Sequence, residues 1–340
     1  MSDTLVCHDD NLQRAVVVKT LKPGIGAQRL LDELKALSSI RSDYVVQVYD
    51  VIKDASGTIV GFVEEHLSGA DLIDCPSGSS HHDALKSIYP VAAGIAEIHA
   101  HSVVHRDIKP ENMKRDASSQ LKIFDFGLAK DNTSPGTSSL FFTSGYTAPE
   151  AFNASPQGVH SFTPALDVFA FGCVCIWLLN HKVLPPQLFQ IPPALPINGF
   201  TFASLAVAVP SSVSNILDRC IDPDPNNRPT MLEVKSLLSA EILRDRHRLL
   251  LTLGVNEYIC DASKPLTKLK WQNSSLEISY TGTDFVVSSS SGTAMINNGP
   301  ATVGQTLTGS SIIVLGLDDR SKGLTRASIT CDVSHPEVSL

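Results

Sequence analysis

Val104-His105-Arg106-Asp107-Ile108-Lys109-Pro110-Glu111-Asn112 is the stretch that decides how this chain is read. Transfer of a phosphoryl group asks for an acceptor aimed at the attacking hydroxyl, an oxygen ligand for magnesium, and positive charge near the moving phosphate. Asp107 is able to accept or orient the hydroxyl proton. Asn112, five residues on, offers a neutral oxygen to a metal, and Lys109 has the reach to meet a γ-phosphate. Thirteen residues after Asn112 stands Asp125-Phe126-Gly127, behind Leu121-Lys122-Ile123-Phe124, which reads as a short strand. There Asp125 would bridge magnesium to phosphates, Phe126 would pack inward, and Gly127 would let the backbone turn.

Together these segments resemble the catalytic loop and metal-binding motif of the protein kinase family. Further pieces resemble that family in order along the chain. Ala148-Pro149-Glu150 resembles the motif closing its activation segment, and Thr143-Ser144-Gly145-Tyr146 the substrate-docking turn whose Thr contacts the catalytic Asp and Lys. Asp167, with Phe169 and Gly172, resembles the start of the buried central helix. Arg228-Pro229-Thr230 resembles the segment whose Arg pairs with the closing Glu, here Glu150. One three-letter match carries little; five in fixed order and spacing are specific. The resemblance covers about residues 1–250.

Upstream, Val16-Val17-Val18-Lys19 resembles the strand presenting the lysine that pairs with the α- and β-phosphates. Its partner in the family is a helical Glu followed by apolar residues at +4 and +7. Glu33 has Leu37 and Ile40 there, whereas Asp32 would put Ala36 and Ser39 in those places, so Glu33 is expected to hold Lys19. Glu65-His66-Leu67-Ser68-Gly69-Ala70-Asp71-Leu72 aligns with the hinge whose backbone binds the adenine edge, with Glu65 and Leu67 as binding positions. That register puts Glu64 at the position guarding the back pocket; a shift of one residue puts Val63 there, and both readings stand. Lys109 within Asp-Ile-Lys-Pro-Glu-Asn resembles the serine/threonine branch.

Arg106 beside Asp107 resembles the subset switched by activation-loop phosphorylation, where a phosphate pairs with the arginine and orders the loop. Thr133, Ser134, Thr137, Ser138 and Ser139 are the candidates for autophosphorylation, with an unmodified, solvated loop as the alternative. The resemblance thus implies a serine/threonine protein kinase that uses ATP and Mg2+ on protein substrates. Asp107, Lys109, Lys19 and Glu33 would be catalytic. Lys19, Glu65, Leu67, Asn112 and Asp125 would hold the nucleotide, and Asn112 and Asp125 the metal. A small-molecule kinase of related fold fits less well, because Ala148-Pro149-Glu150 and Thr143 build a platform for a protein substrate.

The texture of the chain agrees. Leu5 to Cys7 and Arg14 to Thr20 read as strands around His8-Asp9-Asp10-Asn11, and Pro23-Gly24 breaks the chain. A helical stripe of Leu30, Leu31, Leu34, Leu37 and Ile40 follows between about Ala27 and Ile40. Tyr44 to Lys53 and Thr58 to His66 read as a hairpin over Asp54-Ala55-Ser56-Gly57. Helices are expected over Ala84 to His101, Pro164 to Asn180, Ser211 to Ile221 and Met231 to Leu251. The expectation is an α+β fold in two lobes, about 1–67 and 68–250. Residues 271–340 carry 21 Ser or Thr, and their short apolar runs recur between turns: Leu276 to Tyr280, Phe285 to Val287, Ala294 to Ile296, Ile312 to Leu315 and Ala327 to Val333. Residues 255–340 are therefore expected to form a small all-β sandwich or barrel rather than a disordered tail. Its later part faintly resembles forkhead-associated phosphopeptide-binding domains. The Gly-Arg and Ser-x-x-His pieces that would bind phosphothreonine are not recognisable, so a structural or partner-binding module is expected.

No glycine precedes Gly24, so the family's Gly-rich loop is missing. Either the recorded start falls after it, or the protein lacks this lid, which would weaken nucleotide binding and suit a pseudokinase or nucleotide-dependent scaffold. With Lys19, Glu33, Asp107, Asn112 and Asp125 all present, an active enzyme is the reading adopted. In bulk, the 340 residues are 43% hydrophobic with a net charge of -8, which supports a packed core and argues against nucleic acid or anionic lipid as partners. The longest apolar run, Val168 to Leu179, is 12 residues and too short to span a membrane. Seven scattered cysteines and no leader pattern at Met1 point to a reducing, cytoplasmic setting.

Overall fold

Two hairpins build the first sheet in the computed structural model, which describes residues 2–21, 28–74, 80–128, 130–131, 143–153, 162–316 and 325–335. Ser2–Asp9 (β1) pairs antiparallel with Arg14–Leu21 (β2), from Ser2↔Leu21 to Asp9↔Arg14. Asp9 closes the turn: its Oδ1 accepts the N–H groups of Asn11 and Leu12, each at 3.1 Å. After the helix Gln28–Ser39 (α1), Val48–Lys53 (β3) and Ile59–Glu65 (β4) form the second hairpin. Asp54 Oδ1 accepts from the N–H groups of Ser56 and Thr58, and Gly57 takes a φ of +84° that favours glycine. The sheet order is β1-β2-β4-β3. Strand alternation sends Phe62 and Glu64 to the buried side of β4, where Leu34 and Leu37 of α1 are also buried.

The chain then turns helical. His81–Ala100 (α2) starts at a capping box, in which Ser80 Oγ accepts the Asp83 N–H and donates to the Asp83 carboxylate. Two small ladders follow, Val103–Val104 (β5) with Lys130–Asp131 (β8) and Met113–Arg115 (β6) with Leu121–Ile123 (β7), and the bridge Val45↔Ile123 ties the last to the segment before β3. Pro164–Leu179 (α3) is apolar all round and buried along most of its length. Ser211–Cys220 (α4) approaches it so closely that a Cβ on Gly172 would lie 2.5 Å from Ile221 Cγ2. Cys173, Cys175 and Cys220 are buried here, whereas Cys7 on β1 is exposed. Among the described residues no helix is long and apolar enough to cross a membrane.

The chain divides into two compact units, Met1–Leu238 and Ser239–Leu340. The helix expected over Met231 to Leu251 ends at Leu243 (α5), and Leu249–Leu253 (β9) is a strand. Asp245, at φ +57°, marks the break; the leucines that follow continue the apolar texture, so composition alone does not reveal the change from helix to sheet. The second unit is a sandwich of Asn256–Cys260 (β10), Leu266–Trp271 (β11), Ser274–Tyr280 (β12), Phe285–Ser291 (β13), Ala294–Ile296 (β14), Gly299–Pro300 (β15), Thr306–Leu307 (β16), Ser310–Leu315 (β17) and Ala327–Val333 (β18). One sheet runs β10-β9-β18-β17-β14-β15, the other β11-β12-β13-β16. Leu251, Leu276, Ile278, Phe285, Ile313 and Ile329 fill the core between them. The expected all-β module is thus present as ordered strands.

Candidate active site

Asp107 lies just past β5, in a loop hung on a buried carboxylate at the head of α3. Asp167 Oδ2 accepts the His105 N–H and Oδ1 the Arg106 N–H, both at 2.8 Å, and Oδ2 meets His99 Nε2 at 2.9 Å. Asp167 is only 1% exposed. Burial alone would raise its carboxyl, but His99, His105 and the Arg106 N–H hold it below the usual carboxylate range. So anchored, Arg106 adopts a φ of +71°, and its guanidinium stacks 3.6 Å from the Phe162 ring centroid.

Around Asp107 three donors converge. Lys109 Nζ donates to Oδ2 at 2.8 Å, Asn112 Nδ2 to Oδ2 at 2.9 Å, and Thr143 Oγ1 to Oδ1 at 2.7 Å. Lys109 also donates to Thr143 Oγ1 at 3.2 Å, which closes the ring. Burial works against ionisation, yet Lys109 and Thr143 together hold Asp107 below the usual carboxylate range. A half-buried carboxylate kept ionised in this way orients a hydroxyl better than it strips one. Beside it opens a recess lined by Arg106, Thr143, Tyr146 and Phe162.

Asn112 spends its amide N–H groups on the carboxylate and backbone oxygen of Asp107. Its backbone oxygen accepts the Phe124 N–H at 3.0 Å, which fixes the next residue, Asp125, relative to the loop. Asp125 is exposed at φ +62°, and Phe126 is fully buried edge-on against His105, with centroids 4.5 Å apart. The amide oxygen of Asn112 and the carboxylate of Asp125 are hard oxygen donors. They suit magnesium, which takes one or two protein oxygens and completes its shell with water and phosphate. Among the described residues no group of three or more His, Cys, Asp or Glu is placed to hold a metal. Downstream, Arg228 grips Glu150 with both guanidinium ends, at 2.5 and 2.9 Å, as the closing motif implies.

The second cluster belongs to the sheet. Lys19 Nζ on β2 donates to Glu33 Oε1 of α1 at 2.7 Å, so Glu33 rather than Asp32 is the partner of Lys19. A Cβ on Gly127 would lie 3.2 Å from Asp125 Oδ1 and 3.9 Å from Glu33 Oε2, which sets the Asp-Phe-Gly turn beside this pair. A third acid joins that the sequence had left between two registers. Glu64, and not Val63, reaches Lys19, with Oε1 3.2 Å from Nζ. The signal was strand parity: Glu64 shares the buried face of β4 with Phe62.

Glu65 and Leu67 follow at the end of β4. The Glu65 side chain is engaged by Lys122 at 2.9 Å and its N–H donates to Gln47 O at 2.8 Å; Leu67 is buried. Thr133, Ser134, Thr137, Ser138 and Ser139 lie outside the described residues, as does Gly24. His99 and His105 were not singled out from the sequence. Their only signal is proximity to Asp107, because a histidine's burial is not written in its neighbours.

The family model described as protein kinase domain matches residues 1–238. A serine/threonine-protein kinase, drp72, of Corynebacterium efficiens is 33% identical over 234 residues, covering 62% of this chain and 42% of that protein. Calcium/calmodulin-dependent protein kinase type 1 of Caenorhabditis elegans is 34% identical over 158 residues, 45% of this chain and 43% of the relative. Cyclin-dependent kinase 20 of Rattus norvegicus is 35% identical over 179 residues, 51% of this chain and 50% of the relative. The chain therefore spans half or less of the length of these curated relatives. The family match takes in the whole first unit and every residue of both clusters, and it carries one conclusion: the chain belongs to the protein kinase family.

Proposed function

We propose that the chain transfers the γ-phosphate of ATP to serine or threonine hydroxyls of proteins. The observation that carries this reading is the closed ring of Asp107, Lys109 and Thr143, with Asn112 donating to the same carboxylate, which holds one ionised acid between three donors. In this reading the first sheet with α1 is one lobe and the helical remainder the other. Lys19, positioned by Glu33, meets the α- and β-phosphates, and the backbone near Glu65 and Leu67 meets the adenine edge. Magnesium held by Asn112 and Asp125 would supply positive charge to the phosphates. Asp107 orients the incoming hydroxyl and takes its proton late, as the bond to phosphorus forms. Lys109 balances the charge that develops on the moving phosphoryl group, and Thr143 keeps Asp107 and Lys109 in register. Lys109 within Asp-Ile-Lys-Pro-Glu-Asn also supports the serine/threonine assignment, and Thr143 supports a protein as the acceptor.

The β-sandwich is read as a structural or partner-binding module. Activation-loop autophosphorylation completes the reading, with Arg106 as the group that would pair with a phosphorylated serine or threonine of the loop. Radiolabelled ATP with magnesium and a generic basic protein substrate tests it, with Asp125→Ala alongside. Label should enter the substrate and the chain itself, raising its intact mass in steps of one phosphate, and vanish in the variant. Nucleotide binding without transfer would sink this reading in favour of a nucleotide-dependent scaffold.

A further inference from the structure

The mechanism employs Glu33 and leaves Glu64 without a task. Yet Glu64 is as deeply placed as its neighbours: Lys19, Glu33 and Glu64 are 6%, 4% and 4% exposed. Its Oε1 shares the Lys19 ammonium, while its Oε2 is buried and has no hydrogen-bond partner among the described residues. The charged groups that face it come from three directions: Lys19 on β2, Glu33 on α1, and Asp125 in the turn after β7. One ammonium thus serves two glutamates in a site largely closed to water, and Asp125, itself exposed, adds negative charge. A carboxylate oxygen left bare in such a place is costly, and the cost disappears when a proton settles on it.

We propose that Glu64 is a positioning residue that governs how freely Lys19 meets nucleotide phosphate, restraining the ammonium while ionised and releasing it when Oε2 takes a proton. The inference rests on the nucleotide reading above. Of the two glutamates on Lys19, Glu64 is the one to yield, because its contact is the longer and its second oxygen is empty. Burial, opposed only in part by Lys19 and reinforced by Glu33 and Asp125, pushes its carboxyl up to about 7. An incoming polyphosphate draws on the same ammonium, so less of the charge that holds Glu64 ionised is left to it and its proton affinity rises. Binding and proton uptake are then linked: affinity is greatest below about pH 7 and falls as pH rises through it. The proton comes from solvent and returns to it when the nucleotide leaves.

Calorimetric binding of MgATP to the full chain tests this, run between about pH 6.5 and about pH 8.5 in buffers of high and low ionisation enthalpy. Wild type should lose up to about tenfold in affinity per pH unit above about pH 7, and should take up close to one proton on binding. Glu64→Gln keeps the shape and the contact to Lys19; it should take up no proton, show a flatter profile, and bind about tenfold more tightly than wild type near pH 8.5. Matching profiles, or a variant that binds more weakly at high pH, would overturn the proposal. So would the wild-type measurement alone, if no proton were taken up near about pH 7.5, where MgATP itself is already ionised. Failure of both proteins to bind MgATP at any pH would overturn the nucleotide reading itself, an outcome distinct from binding without proton uptake.

Discussion

The two clusters invert one another. Around Lys19, one cation is shared by acids and a carboxylate oxygen goes bare; around Asp107, one acid is met by three donors. Both carboxylates are drawn out of water, yet burial pushes Glu64 up to about 7 while Asp107 is held below its usual range. Asp167, 1% exposed and still held below its usual range by His99, His105 and the Arg106 N–H, shows that a supply of donors can outweigh depth.

The comparison breaks most visibly at Asp107. Asp107→Asn keeps the shape but loses the charge that three donors were gathered to serve. Phosphoryl transfer should fall by about 10²- to 10⁴-fold in a steady-state assay, with the thermal midpoint moving by no more than about 4 °C. Unfolding instead of inactivation would mean that the ring is a structural staple. Thr143→Val is the sharper, smaller probe. It removes one hydrogen bond to a charged acceptor, which is worth about 1.5–3 kcal/mol, so transfer should drop by roughly tenfold to a hundredfold. Because the Thr143 hydroxyl favours the ionised form, its loss lets Asp107 take a proton at higher pH. The acid limb of the pH–rate profile should therefore move upward, and an unmoved limb would exclude Thr143 from tuning Asp107.

The smallest effect is expected in the stability of the Lys19 cluster. Glu64 binds a proton more readily folded than unfolded, so its contribution to stability declines as pH rises from the ordinary carboxylate range through about 7. Glu64→Gln escapes that decline. Its urea midpoint should match wild type near about pH 5 and exceed it near about pH 8, by roughly 1–2 kcal/mol in unfolding free energy. A gap of the same size at both pH values would show a packing effect and not a charge.

Most of the Asp107 cluster was legible because it is local or motif-bound. Asp107, Lys109 and Asn112 lie within six residues of one another, and Asp125 follows at a fixed interval. The partner of Lys19 was legible through helix periodicity, since Leu37 and Ile40 place Glu33 on the inner stripe of α1. Glu64 was harder. Its role depends on strand register, and a one-residue slip exchanges the two faces of a strand. The pairing Val17↔Glu64, fixed by two hairpins and the sheet order, is information that no short window contains. The grip of Asp167 on the Asp107 loop crosses more than sixty residues and uses backbone N–H groups, which leave no mark on side-chain identity. In the second unit the runs with clear alternation were visible. Leu249–Leu253 was not, because its leucines continue the texture of the helix before it.

The distribution of thiols has a practical consequence for watching this molecule. Burial pushes Cys173, Cys175 and Cys220 well above the usual thiol range, so they carry almost no thiolate near neutrality. Cys7, by contrast, is exposed on the strand that pairs with β2, opposite Val16 and three residues from Lys19 in register. With Cys75, which lies outside the described residues, replaced by serine, a maleimide dye would find a single ready handle. It would sit on the ribbon that carries the lysine, where an optical readout of ligand arrival needs no labelled nucleotide.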